Sequence, residues 1–238
     1  GQEEIETAAE ILTARTKGLG SRIRELAICP IYSTLPSDMQ AKIFENAPDG
    51  GRKVVLGTNI AETSLTIDGI CYVVDAGFSK QKSYNPRSGM ESLIVTPISK
   101  AAANQRAGRA GRTQPGKCFR LYTSWSYLHE LEDNTVPEIQ RTNLASVILS
   151  MLSLKLGDVF DFPFVDAPDA RFVKDGYRLL FELGAGDDAE RITGLGRQLS
   201  RLPIDPRLAR MVLAGERFQC LREVLIVVSA LATQDPRE

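Results

Sequence analysis

The sequence predicts an α/β fold, a parallel sheet with flanking helices followed by a mainly helical region. Three observations carry this. Short apolar runs at Leu26 to Ile31, Lys53 to Leu56, Ile70 to Asp75 and Cys118 to Tyr122 alternate with helical stretches through the first half. The second and third runs are about a dozen residues apart, enough for a short crossover between parallel strands. Beyond Pro137 the pattern changes, and Leu144, Val147, Ile148, Met151 and Leu152 repeat at helical spacing. A chain of 238 residues has room for two compact units and a remnant.

Taken in order, Gln2 to Thr16 has helical composition, with Ile5, Ala8, Ala9 and Leu12 on one face, and stops near Gly18 and Gly20. Ser37-Asp38-Met39-Gln40 reads as a capping box opening a helix that ends around Phe44. Pro48, Gly50 and Gly51 turn the chain into the next strand. Lys80 to Tyr84 and Ser92 to Thr96 flank the turn-rich tip Asn85-Pro86-Arg87-Ser88-Gly89, the pattern of a β-hairpin projecting from the sheet. Leu144 opens a helix ended by Gly157, and Asp169 to Leu183 is a second amphipathic helix. A short β wing, GAGDDAERITG, leads to a short helix from about Leu195 to Leu202. Asp205-Pro206 starts another helix, and Leu221 to Ala232 is apolar enough to need partners on more than one side.

The formal net charge of −1 says nothing about nucleic acid, but the distribution of charge does. Between Glu91 and Glu130 there is no acid, while Lys100, Arg106, Arg109, Arg112, Lys117 and Arg120 are all basic. From Asp158 to Glu190 the balance reverses. One basic face on a near-neutral protein is the footprint of a phosphate site. Cys29, Cys71, Cys118 and Cys220 are widely spaced and there is one histidine, so neither a disulfide scaffold nor a metal site is expected. Cys29 and Cys71 lie in apolar runs and read as core residues. No signal peptide and no apolar run of membrane-spanning length is evident, which fits a soluble protein of a reducing compartment. The chain opens without a methionine inside a helical stretch and reads as a fragment.

The basic region centres on Gln105-Arg106-Ala107-Gly108-Arg109-Ala110-Gly111-Arg112. With Ser99 capping the helix that runs into it, Gln105, Arg109 and Arg112 fall at i, i+4 and i+7 on one face. Guanidinium groups bind phosphate oxygens bidentately and stay charged, so the stripe suits a polyphosphate. Glycines cost about 1 kcal/mol each in a helix relative to alanine, so Gly108 and Gly111 mark a place where something bulky approaches the backbone. Arg106 lies off the stripe and suits an internal ion pair.

This octet resembles the sixth motif of superfamily 2 helicases. With Thr58-Asn59-Ile60-Ala61-Glu62-Thr63-Ser64-Leu65-Thr66-Ile67-Asp68-Gly69 upstream, the chain is similar to the DEAH-box RNA helicases. Up to about Leu156 the wording is close to spliceosomal eukaryotic members. From Phe160 onward, FPFVDAPD, LGRQLSRLPIDPRLARMVL and SALATQDPRE are more similar to the bacterial branch, so the chain reads as a divergent homologue or a composite. The resemblance implies a second RecA-like lobe over 1–140 that lacks its first strand, a winged-helix domain over 141–203, and the start of a helical, ratchet-like domain over 204–238. In that family the hairpin acts as a wedge between nucleic-acid strands.

Carried over by position, Thr34, Thr58 and Asn59 match residues on the RNA backbone. Ser64, Thr66 and Asp68 match residues on the nucleotide side, with Asp68 the partner of the ribose hydroxyls. Phe44 matches the aromatic that stacks on the base, which reads no hydrogen-bond edge and leaves hydrolysis nonspecific for the nucleotide. Gln105, Arg109 and Arg112 match the groups that contact the γ-phosphate and position water.

No G-x-x-x-x-G-K-[ST] loop and no DEAH cluster is present, so the residues that cradle the phosphates of ATP and hold Mg2+ are expected on a preceding lobe. The implied partners are RNA, that first lobe and a G-patch-type activator. The implied setting is intracellular, nuclear for a spliceosomal-type protein and cytoplasmic for a bacterial one. A noncatalytic RNA-binding or scaffold module with a vestigial phosphate site is the alternative. A viral-type or DNA-directed superfamily 2 helicase shares the arginine stretch but fits the Thr58 to Gly69 segment poorly.

Overall fold

The computed structural model describes residues 1–17, 20, 24–85 and 88–232. Gly18, Pro86, Arg87 and the last residues of the SALATQDPRE phrase lie outside them. The chain divides into two compact units. Gly1–Gln81 and Ile94–Thr135 form the first, Lys82–Leu93 and Val136–Glu238 the second.

The first unit is α/β with parallel pairing. Strands β1 (Leu26–Ile31) and β2 (Arg52–Gly57) run parallel, with Leu26 opposite Arg52 and Ile31 opposite Gly57. Helix α1 (Gln2–Lys17) packs on this pair through Ile5, which is buried with Cys29, Ile31, Tyr32, Leu35 and Ile43. Between the two strands, α2 (Ser37–Ala41) tightens into a 3-10 turn, Lys42–Phe44. The capping box expected at Ser37 does not form. Ser37 is already helical, Pro36 holds the cap position without a side-chain bond, and the Gln40 side-chain amide donates to the Leu35 carbonyl.

After β2 comes a one-turn helix, α3 (Ile60–Thr63), then β3 (Tyr72–Asp75), which pairs in parallel with β6 (Lys117–Arg120). The expected crossover between the strands now called β2 and β3 is therefore not seen. Among the described residues the parallel ladders are β1–β2 and β3–β6. The physical reason is length, because a single turn is too short to carry the chain back along β2. Between β3 and β6 lies α4 (Lys100–Gly108), packed on both strands, with Ala103 fully buried near Ile98 and Leu131. Cys29 is buried as expected, but Cys71 is not a core residue. It precedes β3, is half-buried, donates to the Gly69 carbonyl and accepts from Gln114. Helix α5 (Ser124–His129), capped by Thr123, closes the unit.

Strands β4 (Phe78–Asn85) and β5 (Met90–Pro97) pair as the expected hairpin. Its distal half, Lys82–Leu93, belongs to the second unit. There the Tyr84 ring packs edge-on against Phe172, its hydroxyl donates to Asp175, and its amide donates to the Arg141 carbonyl.

The second unit is helical. Its core joins α6 (Ala145–Leu154), α7 (Ala170–Glu182), α8 (Gly194–Leu199) and α9 (Pro206–Arg217), with Ile148, Leu180, Leu199 and Ala209 at its centre. Side chains open three of these helices. Asp169 accepts from the Arg171 amide, Thr193 from Gly196 and Asp205 from Arg207, each satisfying a donor that a helix start leaves free. Helix α6 ends earlier than expected, at Lys155 in the left-handed conformation rather than at Gly157. The expected wing is reduced to one antiparallel bridge, Gly186 with Ile192. Helix α10 (Leu221–Ala232) packs on α9, buries Val228 and leaves Leu225, Ile226, Val227 and Leu231 exposed.

Candidate phosphate and nucleic-acid site

Helix α4 begins where Ser99 accepts a hydrogen bond from the Ala102 amide, as its position before an alanine-rich run predicts. It stays α-helical to Gly108, and Arg109–Gly111 then winds as a 3-10 turn. The arginine stripe is thus not one continuous α-helical face. The tighter turn advances the chain faster and rotates it more per residue, which changes the direction of Arg112 relative to Gln105.

What the winding changes, the neighbouring loop accommodates. Arg109 Nη1 donates to the Leu65 carbonyl at 3.2 Å, and Arg112 Nη1 donates to Thr66 Oγ1. The two motifs, far apart in sequence, meet here. Neither arginine forms an ion pair among the described residues, so both charges stand unneutralised beside the loop. Gln105 is exposed on α4, and Ser64, Thr66 and Asp68 are exposed along the loop. At the other end of α3, Thr58 is half-buried and Asn59 is exposed at the cap position with no side-chain cap bond. A methyl group at Gly108 or Gly111 would meet nothing within 4 Å. The backbone conformation does not demand glycine at either position, and the space beside both is open.

Phe44 and Thr34 lie apart from this loop, on the segment between β1 and β2. Phe44 ends the 3-10 turn after α2 and is 57% exposed, so it is not the core residue that an isolated aromatic usually is. Thr34 is exposed and donates to the Gln2 side chain at 3.0 Å. No contact joins either of them to the arginines among the described residues.

Arg106 is the internal residue its position suggested. Its Nε donates to Glu62 Oε2 at 2.8 Å, Nη1 to Asp75 Oδ1 at 2.8 Å, and Nη2 to the Phe78 carbonyl at 3.2 Å. Asp75 is 2% exposed and also accepts from the Gly77 amide at 3.0 Å and the Tyr122 hydroxyl at 2.9 Å. Burial acts to lower the Arg106 pKa, but the Glu62 and Asp75 carboxylates outweigh it and the net shift is upward, so the guanidinium stays charged. Burial, followed by the bond to Asp75, pushes the Tyr122 phenol well above its usual range.

Glu62, Asp75 and Tyr122 were not picked out from the sequence. One signal was available for Asp75, an acid closing an apolar strand just before Gly77, where an isolated buried charge would be untenable without a partner. The residues present suit a polyanion through Arg109 and Arg112. They do not suit a magnesium site, since no group of three or more metal-binding side chains gathers among the described residues.

Residues 2–114 match the helicase conserved C-terminal domain, and residues 205–236 match the helicase associated domain (HA2), ratchet-like. A crystal structure of the E. coli DExH-box NTPase HrpB is similar over 99% of this chain at 34% identity, with a TM-score of 0.85. This chain covers 28% of that one. The α/β unit that brings the paired motifs together coincides with the first of these matches, and the last two helices, α9 and α10, coincide with the second.

Proposed function

We propose that this chain is the second motor lobe, with a winged helix over 141–203 and the start of a ratchet-like domain over 204–238, of an ATP-dependent DEAH-box RNA helicase. One observation carries the reading. Of the three arginines in the octet, Arg106 is committed to the Glu62 and Asp75 carboxylates while Arg109 and Arg112 form no ion pair among the described residues and stand beside the Leu65–Thr66 loop. An internal scaffold would pair all three. Phosphoryl transfer needs planar cationic donors where negative charge spreads, and these two arginines supply them.

In this reading Gln105, whose amide has no partner among the described residues, orients the attacking water. Ser64 and Thr66 face the nucleotide, Asp68 takes the ribose hydroxyls, and exposed Phe44 stacks on the base. Thr34, Thr58 and Asn59 contact the RNA backbone. A first lobe supplies the phosphate loop and the Mg2+ ligands, and ATP binds between the lobes. The assignment to splicing, a nuclear setting and a G-patch-type activator rests only on the wording of the front half of the sequence.

The test is hydrolysis of ATP by the full-length protein with and without single-stranded RNA. RNA-stimulated turnover that collapses in Arg109→Ala supports the motor reading. RNA binding without turnover in the intact protein supports the noncatalytic alternative.

A further inference from the structure

Glu62 lies midway between the residues assigned to RNA and those assigned to the nucleotide. The stretch from Thr58 to Ser64 is a single hydrogen-bonded unit. The Ala61 amide donates to the Thr58 carbonyl at 3.1 Å, the Glu62 amide to Asn59 at 3.0 Å and the Ser64 amide to Ile60 at 3.1 Å. Thr58 and Asn59 are therefore joined to Glu62 through the backbone of one hydrogen-bonded turn. The Glu62 side chain, 12% exposed, leaves this unit in one direction only, to Arg106 Nε. Arg106 lies one helical turn before Arg109 and is fixed from below by Asp75.

Two other contacts tie the loop to the arginine helix, Arg109 to Leu65 and Arg112 to Thr66. Both use donors that the proposed function assigns to the γ-phosphate, so nucleotide competes for them. The tie from Glu62 to Arg106 uses no such donor and persists in either state. We infer that the Glu62–Arg106 ion pair transmits RNA occupancy at Thr58 and Asn59 to the position of Arg109 and Arg112, and so sets how strongly RNA stimulates hydrolysis. This rests on the proposed function and adds a regulatory role for two residues that contact neither ligand. Both are positioning residues.

The experiment uses full-length protein, ATP and a single-stranded oligouridylate. Glu62→Ala cuts the tie yet leaves Arg106 with Asp75 and the Phe78 carbonyl, and Glu62→Gln keeps an acceptor of the same length without the charge. Linked sites typically differ by roughly 5- to 150-fold, so RNA-stimulated kcat is expected to fall about tenfold in Glu62→Ala, with RNA-free kcat, KM for ATP and nucleotide-free RNA affinity little changed at a temperature where circular dichroism shows the variant folded. Glu62→Gln is expected to recover part of the stimulation. Full stimulation in a folded Glu62→Ala protein overturns the inference alone. So does a parallel loss of RNA-free and RNA-stimulated rates, which marks a general structural role. A parent protein whose hydrolysis is indifferent to RNA overturns the proposed function and the inference together.

Discussion

Arg106 Nη1 lies 2.8 Å from Asp75 Oδ1, inside the unit, while its neighbours Arg109 and Arg112 reach the Leu65–Thr66 loop. Breaking a buried pair by removing one charge typically costs about 3–5 kcal/mol, since the other charge is left uncompensated. Because Glu62 still partners Arg106, Asp75→Asn is expected at the lower end, about 3 kcal/mol, as a fall in the urea midpoint. An unchanged midpoint would show that the pair contributes no net stability.

The Tyr122 phenol has a folded-state pKa raised above the usual 10, by burial first and the bond to Asp75 second. Above pH 10 the folded state therefore holds a proton that the unfolded state releases, so this contribution is complete below pH 10 and declines as pH rises toward the folded value. The expected observation is falling stability above pH 10 whose slope is shallower in Tyr122→Phe. Denaturant titrations at several alkaline pH values check it, and equal slopes in the two proteins count against it.

Gly77 and the octet glycines should respond oppositely to alanine. Gly77 has φ +82, and a Cβ there would sit 2.7 Å from the Tyr122 ring, so Gly77→Ala is expected to destabilise by about 1–3 kcal/mol. Gly108→Ala and Gly111→Ala meet open space on helical backbone and should stabilise by about 0.5–1 kcal/mol while lowering hydrolysis in the two-lobe protein, where a ligand approaches that surface. Melting temperatures and turnover together separate the two effects. Undiminished turnover in both octet variants would mean that nothing approaches there.

For the arginines, Arg109→Ala is expected to reduce RNA-stimulated hydrolysis at least about a hundredfold, and Arg→Lys at 109 or 112 should not be conservative, because the planar fork is lost while the charge remains. Asp68→Ala should raise KM for ATP more than it lowers kcat, since a ribose contact exists in ground and transition states alike. Steady-state kinetics with circular dichroism as a folding control decides this. Near-normal turnover with lost RNA binding in Arg109→Ala would place the arginines on the RNA.

This chain alone is expected to hydrolyse no ATP, since its sequence holds neither a G-x-x-x-x-G-K-[ST] loop nor a DEAH cluster, and to bind RNA weakly and without base preference. Contacts to the backbone make such binding fall steeply with salt. Titrating homopolymeric strands at two salt concentrations tests it. A strong base preference that salt barely alters would contradict the backbone assignment.

Much of this was legible in the sequence because it is written locally. Ser99, Asp169 and Asp205 cap the helices they precede, the hairpin flanks its turn, and the odd placement of Arg106 signals an inward role. What was hidden depends on contacts between distant segments. Nothing near Glu62 or Tyr122 announces that both converge on Arg106 and Asp75, because each partner lies on a different element. Strand pairing was missed because the one turn of α3 is too short for a crossover, and β3 takes the more distant β6 as its neighbour rather than β2. The capping box at Ser37 failed because the helix starts one residue early, with Pro36 at the cap position and Ser37 already inside it.

The topology also sets the pace at which the two units can form. In the first, every parallel ladder joins strands remote in sequence, Tyr72 with Lys117 and Leu26 with Arg52, so loop-closure entropy must be met before any ladder bond is gained. In the second, α6 to α10 follow one another and the contacts between neighbouring helices are local. Refolding from denaturant should accordingly be biphasic, with helical signal returning in a fast phase and burial of Tyr122 in a slow one. The slow phase is then that of the unit that carries the arginines.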